Sequence, residues 1–319
     1  MSFSVLITGG TGFFGRALLR HHLVAGKSLG LTIMVLSRNP ELFLQTYPEF
    51  ASHESIGFIK GDIQNRNSLP WGHSFSHIIH AATDSTFGPL LTPLQRFAQI
   101  LEGTMHILDL AIATGARRLL LTSSGGIYGP QPTNLEAIPE NWQGSPPLAE
   151  KATAYSQAKR AAEHLCTLYR DAYGLETVIA RCFAFVGPDM PLDVHFAIGN
   201  FIRDALSAEA ITVSGDGSQL RTYLDQSDLA DWLWTLMLDG HDGETYNVGS
   251  DQVISIGELA YLVRDLLAPS KTVRVLGTPQ EATGRNSYIP NISKIKTMHG
   301  VSITVPLDQS ILNTAKAHG

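Results

Sequence analysis

The chain has 319 residues, 44% hydrophobic and 16% charged, with a formal net charge of −6 at pH 7. This composition supports a sizeable core, and without a basic stripe it argues against a nucleic-acid partner. No run of about 18 apolar residues is present to span a bilayer, the N-terminus lacks a signal-peptide pattern, and Cys166 and Cys182 stand alone, without disulfide or metal-ligand spacing. The expectation is a soluble cytoplasmic protein with no membrane contact and no metal site.

Short apolar runs alternate with helical patterns through the first half. The expected strands are Val5–Thr8, Thr32–Leu36, Gly57–Lys60, His77–Ala81, Arg118–Thr122 and Thr177–Arg181. They are nearly all apolar, as strands buried on both faces of a parallel sheet must be. Helical stretches fall between them, at Gly15–Ala25, Pro93–Ala113 and Tyr155–Tyr173. This rhythm predicts an α/β fold, a doubly wound parallel sheet of the Rossmann type. After Arg181, prolines and glycines break the rhythm. Residues 1–181 are therefore expected to form the dinucleotide-binding domain. Residues 182–319 are expected to form a smaller substrate-binding lobe, with segments that rejoin the sheet.

The first strand runs into Gly9-Gly10-Thr11-Gly12-Phe13-Phe14-Gly15-Arg16 and then a helix. A tight turn, close backbone approach and a helix N-terminus are what a pyrophosphate needs. Gly9, Gly12, Phe13, Phe14, Gly15 and Arg16 are thus candidate cofactor contacts. The second strand ends in Ser37-Arg38, where an NAD site commonly carries an acid. Arg38 suits a 2′-phosphate through charge and paired hydrogen bonds, so NADP is favoured over NAD. Asp62-Ile63 and Ala81-Ala82, after strands three and four, are placed to line the adenine and the pyrophosphate.

The fifth strand leads into Ser123-Ser124-Gly125-Gly126-Ile127-Tyr128-Gly129, and Tyr155-Ser156-Gln157-Ala158-Lys159 follows within a helix. Tyr155 and Lys159 share one helix face. An ammonium beside a phenol favours its ionised form, which a base with an ordinary pKa of about 10 requires near neutrality.

In their order, these motifs resemble the extended short-chain dehydrogenase/reductases of the nucleotide-sugar epimerase/dehydratase group. Further matches are Gly187-Pro188, Gly215-Asp216-Gly217-Ser218-Gln219-Leu220-Arg221, Asp228 and Tyr246-Asn247-Val248-Gly249. The resemblance implies Tyr155 as the acid/base at a sugar hydroxyl and Lys159 as the residue that holds the nicotinamide ribose. It implies Ser124, beside Gly125, as the hydrogen-bond partner of the reacting oxygen. Arg221 matches an arginine that pairs with the substrate diphosphate, and Arg285 is a candidate second one. It also implies a homodimer through the Pro93–Ala113 and Tyr155–Tyr173 helices.

The sequence departs from the group in places. Ile100 and Ala184 stand where an asparagine is common, and Asn200 is a candidate substitute for the second. His195 is a candidate acid/base or a structural histidine. Family dehydratases carry Asp-Glu after the active-site Ser/Thr, and the related decarboxylases keep a glutamate two residues before the tyrosine matching Tyr128. Gly125 and Gly126 occupy these places, so no elimination is expected unless Asp84 or Asp193 reaches in from elsewhere. The implied reaction is hydride exchange at C4 of a nucleotide-linked sugar, by an epimerase or a ketoreductase. The alternatives are a 4,6-dehydratase, a reductase of a non-nucleotide carbonyl compound, and a non-catalytic NADP-binding regulator.

Overall fold

The computed structural model describes residues 3–25, 30–51, 53–83, 91–194, 196–278 and 286–319. In chain order the first elements are β1 (Phe3–Thr8), α1 (Phe13–Ala25), β2 (Leu31–Ser37), α2 (Pro40–Thr46), β3 (Ile56–Lys60) and β4 (His77–His80). They are followed by α3 (Pro93–Ala113), β5 (Arg118–Ser124), α4 (Ala154–Tyr173) and β6 (Glu176–Cys182). Each expected strand and helix lies within one of these, except that β4 ends at His80, one residue short of the expected Ala81. The main difference is that β5 continues through Ser123 and Ser124, both buried.

The rest of the chain contains β7 (Phe185–Val186), α5 (Ala197–Ser207), β8 (Ala210–Val213), β9 (Leu220–Thr222), β10 (Leu224–Asp225) and α6 (Gln226–Asp239). Then come β11 (Thr245–Val248), β12 (Val253–Ser255), α7 (Ile256–Leu267), β13 (Thr272–Val275), α8 (Ser293–His299) and α9 (Leu307–His318).

The chain forms two compact units. The first comprises residues Met1–Ile127, Pro146–Arg181 and Ala230–Tyr246, and the second Tyr128–Ser145, Cys182–Leu229 and Asn247–Gly319. One crossing therefore falls at Arg181. In addition, residues 128–145 leave the first unit and 230–246 return to it.

The main sheet has the order β11-β6-β5-β4-β1-β2-β3. Pairs β1–β2, β2–β3, β1–β4 and β4–β5 are parallel, with Thr8 opposite Leu36 on one side and His80 on the other. The order reverses at β1/β4, which opens a crevice beyond their carboxyl ends. Every residue of β4 and β5 is buried, which explains the apolar centres Ile78-Ile79 and Leu119-Leu120-Leu121 of these strands.

Local chemistry fixes the helices. Thr92 and Gln95 form a reciprocal capping box at the start of α3, with Pro93 at its first turn. Gly174 ends α4 at φ +70°, in the left-handed region. Trp232 and Trp234 are buried in the returning part of α6, and the Trp234 indole donates to the Leu18 carbonyl at 3.2 Å. At the end of that helix the Arg118 Nη1 donates to the carbonyls of Met237 and Leu238, and its Nε bonds Glu176. A buried arginine thus supplies donors to orphan helix-end carbonyls.

The second unit holds three two-stranded pairs, β7–β10, β9–β12 and β8–β13. Asp228 accepts from the Thr304 and Val305 amides and the Thr304 hydroxyl, and Asp225 accepts from Ser310. Asn247 receives the Tyr128 hydroxyl and donates to the carbonyls of Ile138 and Asn291. Two of the later sequence matches therefore tie loops of this unit together.

The turn after β1 leaves no room at Gly15, where an added Cβ would lie 2.2 Å from the Gly10 Cα. Because that obstacle is backbone, Gly15→Ala should cost roughly 2 kcal/mol or more. A drop in the urea midpoint with an unchanged slope would report this; an unaltered midpoint would contradict the packing described.

Candidate active site

The glycine loop and the end of β4 meet at the reversal of strand order. Gly9 has φ +73°, and a Cβ there would sit 2.5 Å from the Ala81 carbonyl oxygen. At Gly10 a Cβ would meet Val35 at 2.6 Å. The Ala81 amide donates to the Thr8 carbonyl and the Ala82 amide to the Thr8 hydroxyl. Inside the loop Gly12 N donates to Gly9 O, and Arg16 N donates to Gly12 O. The outcome is a bare backbone surface opening onto the N-terminus of α1, which fits a dinucleotide pyrophosphate.

Other cofactor candidates are placed as follows. Ser37 is buried and accepts from the Asn39 amide, while Arg38 is exposed at the end of β2. Arg16 lies over the Tyr47 ring, 4.9 Å from its centroid, and bonds the Tyr47 hydroxyl. Asp62 closes a turn by accepting from the Gln64 amide. Ile63 is directed into the core against Gly103 of α3, where a Cβ would be 2.6 Å from its Cδ1. That glycine is what allows α3 to approach so closely.

The centre of the site is Lys159. Its side chain is buried, and Nζ donates to the Thr83 hydroxyl at 2.7 Å and the Thr122 carbonyl at 2.8 Å. One turn along α4, Glu163 accepts from Ser123 Oγ at 2.5 Å and takes a two-pronged bond from Arg181, the closest at 2.7 Å. Lys159 and Glu163 therefore fasten α4 to consecutive residues of β5, immediately before Ser124. Ser124 Oγ accepts from the Gly126 amide at 3.1 Å. The Ser124 hydroxyl keeps its hydrogen available to donate. Tyr155 lies one turn before Lys159 and packs partly against the core of this unit.

His80 lies under the same cluster. Its Nδ1 is 2.7 Å from Thr8 Oγ1 and its Nε2 3.3 Å from Thr104 Oγ1. Complete burial, with the Lys159 charge adding to it, pushes its pKa down to about 3. It is a neutral link between β1, β4 and α3, and the neighbouring lysine reinforces its neutrality.

Arg221 and Asn200 belong to the second unit. Arg221 Nη1 donates to the carbonyls of Leu220 and Asn286, and burial lowers its pKa, opposed by Tyr223 and Tyr288. Among the described residues no carboxylate pairs with it. Asn200 accepts from Arg203 on the same helix. Asp193 is exposed in the second unit. Arg285, His195 and Asp84 lie outside the described residues. No group of three metal-ligating side chains occurs among the described residues, and none of their helices is long and apolar enough to cross a membrane.

Sequence reasoning missed Thr83, the Thr122 carbonyl, the Ser123–Glu163–Arg181 cluster and the place of Ser156. Only Glu163 carried a signal, four residues beyond Lys159 on the same helix face.

Comparison with known proteins agrees with this architecture. Residues 5–249 match the model of the NAD dependent epimerase/dehydratase family, and the chain belongs to that family. Among its relatives, UDP-glucuronic acid decarboxylase 1 of Danio rerio is 31% identical over 97% of this chain and 71% of that protein. UDP-glucuronic acid decarboxylase 3 of Arabidopsis thaliana is 30% identical over 96% of this chain and 86% of its own length. Among solved structures, the UDP-glucose 4-epimerase of Thermotoga maritima superposes with a TM-score of 0.83 at 20% identity, covering 99% of this chain and 98% of that one. The UDP-glucuronic acid 4-epimerase of Bacillus cereus, solved with UDP-glucuronic acid and NAD, gives 0.83 at 21% identity with the same coverage. At such identities the superpositions establish the fold alone.

The neutral state of His80 has a measurable consequence. Its folded pKa lies below the ordinary 6.5, at about 3. Between those values the unfolded chain binds a proton that the folded chain refuses, so stability falls as pH drops through the window. Burial lowers His21, His22 and His77 as well, and these act in the same direction. His80→Gln should reduce the slope of unfolding free energy against pH by up to about 1.4 kcal/mol per pH unit. An unchanged slope would contradict a buried neutral His80.

Proposed function

We propose that this enzyme catalyses NAD(P)-dependent oxidation or reduction at one carbon, C4, of a nucleotide-linked sugar, as an epimerase or a ketoreductase. The observation that carries this reading is the desolvated Lys159 ammonium, fixed by Thr83 and Thr122 one helical turn from Tyr155 and close to Ser124. A non-catalytic regulator would have no use for so costly a charge.

In this reading Tyr155 removes the proton of the sugar hydroxyl, and Lys159 favours its phenolate by charge. Ser124 donates to the reacting oxygen and holds it in line. The glycine loop, Ala81-Ala82, Asp62 and Lys159 hold the dinucleotide, whose nicotinamide supplies the hydride acceptor or donor. Arg221 pairs with the diphosphate of the substrate. Arg38 at the end of β2 favours NADP. The protein is cytoplasmic and a homodimer through α3 and α4, whose Met105, Ile112, Leu168 and Tyr173 are exposed apolar surface.

A second reading follows from the relatives' names. A C4 ketone made on a uronic acid is a β-keto acid, which loses carbon dioxide readily, so UDP-glucuronic acid is a substrate to test. Gly126 weighs against a dedicated decarboxylase, since it puts no acid beside Ser124.

Tyr155→Phe should lower turnover by about 100-fold or more, with cofactor affinity preserved. Turnover at the wild-type rate would refute the assignment. For cofactor choice, calorimetric titration should show tighter binding of NADP(H) than NAD(H), with Arg38→Ala weakening the former most. Equal or stronger binding of NAD(H) would refute the preference.

A further inference from the structure

Ser156 follows Tyr155 on α4, and its half-buried hydroxyl is unusual for a helical serine. Such a group commonly bonds the carbonyl one turn back or points into solvent. Ser156 Oγ has no hydrogen-bond partner among the described residues. Its position is fixed by what it adjoins. A Cβ built on Gly126 would lie 2.7 Å from Ser156 Oγ and 3.3 Å from Ser124 Oγ. Two hydroxyls thus approach one point, and the missing Gly126 side chain is what lets the Ser156 hydroxyl sit there beside Ser124. The Ser124 oxygen already accepts from the Gly126 amide; the Ser156 hydroxyl retains both its donor and its acceptor capacity.

A polar group left unpaired in a half-buried site is stabilised once a ligand supplies the missing hydrogen bond. We propose that Ser156 is a specificity-determining residue. Its hydroxyl bonds a polar substituent on a carbon flanking the one that Ser124 and Tyr155 address, and Gly126 is kept bare to admit that contact. The inference rests on the oxidoreductase reading of this site and adds a residue to it. A neutral hydroxyl in this place can donate to a carboxylate or accept from an alcohol. It cannot itself protonate a leaving group as a carboxylic acid would.

A pairing between residue and substituent is tested by varying both. The purified protein with bound cofactor is mixed with UDP-, dTDP-, GDP- and CDP-hexoses, and nicotinamide absorbance is followed in a single turnover. The hexose that reacts is then compared with its 3-deoxy and 6-deoxy analogues, in the wild type and in Ser156→Ala. The wild type should prefer the intact sugar over one of the two analogues by about 5- to 10-fold. Ser156→Ala should bring that preference to within about twofold, leaving the rate with that deoxy sugar nearly unchanged. Gly126→Ala supplies an independent arm, since its methyl displaces the Ser156 hydroxyl. It should remove the same preference, while its crowding of Ser124 slows intact and deoxy sugars alike. If Ser156→Ala slows intact and deoxy sugars by the same factor, the residue is structural and the proposal is wrong. If the wild type changes nicotinamide absorbance with none of the hexoses, the oxidoreductase reading itself fails, and the proposal fails with it. That failure is visible before any variant is made.

Discussion

A buried ammonium is the constraint around which this site is arranged. Lys159 lies almost fully out of solvent, where a charge is tolerated only if strong dipoles replace its hydration. The Thr122 carbonyl and the Thr83 hydroxyl provide them, one from the end of β5 and one from the segment after β4. The neighbouring groups are consistent with that charge. His80 beneath it is held neutral. Glu163, one turn away, is bound by Arg181 and Ser123. Cys166, further along the same buried face, has its thiol pushed up to about 12 by burial and the Glu163 charge, so it stays protonated.

The second constraint is steric. Relatives at about 30% identity are decarboxylases by name, yet the resemblance gives such enzymes a glutamate where this chain has Gly126. A side chain at that place would collide with Ser156 and crowd Ser124. The difference therefore lies in shape as well as charge. This site has the hydroxyls of Ser156 and Ser124 around the place where a side chain would otherwise stand. Ser124, Gly125, Gly126, Tyr155, Ser156 and Lys159 include no carboxylic acid.

The main sheet was legible because strands buried on both faces carry apolar centres, as Ile78-Ile79 and Leu119-Leu120-Leu121 show. The glycine loop was legible because only glycine tolerates the approach of Gly9 to Ala81. The spacing of Tyr155 and Lys159 placed them one turn apart on a helix, as α4 has them. The contacts that make Lys159 work were not legible, because a backbone carbonyl such as that of Thr122 carries no side-chain signal and Thr83 is 76 positions away. The same is true of Arg181, which was read only as the end of a strand. Arg16 was expected at the cofactor, and the structure places its guanidinium on Tyr47, an aromatic partner 31 positions distant. The crossings of residues 128–145 and 230–246 between units were also hidden, since they depend on which core each segment joins.

The central claim is that chemistry stops at proton and hydride exchange on one carbon. Mass spectrometry of products from UDP-glucose, UDP-glucuronic acid and the corresponding dTDP-, GDP- and CDP-hexoses, each incubated with NAD and NADP, tests it most directly. The account predicts a product isomeric with its substrate, or one differing from it by two hydrogens. A product lighter by one water, or by carbon dioxide at a rate matching cofactor turnover, would contradict it.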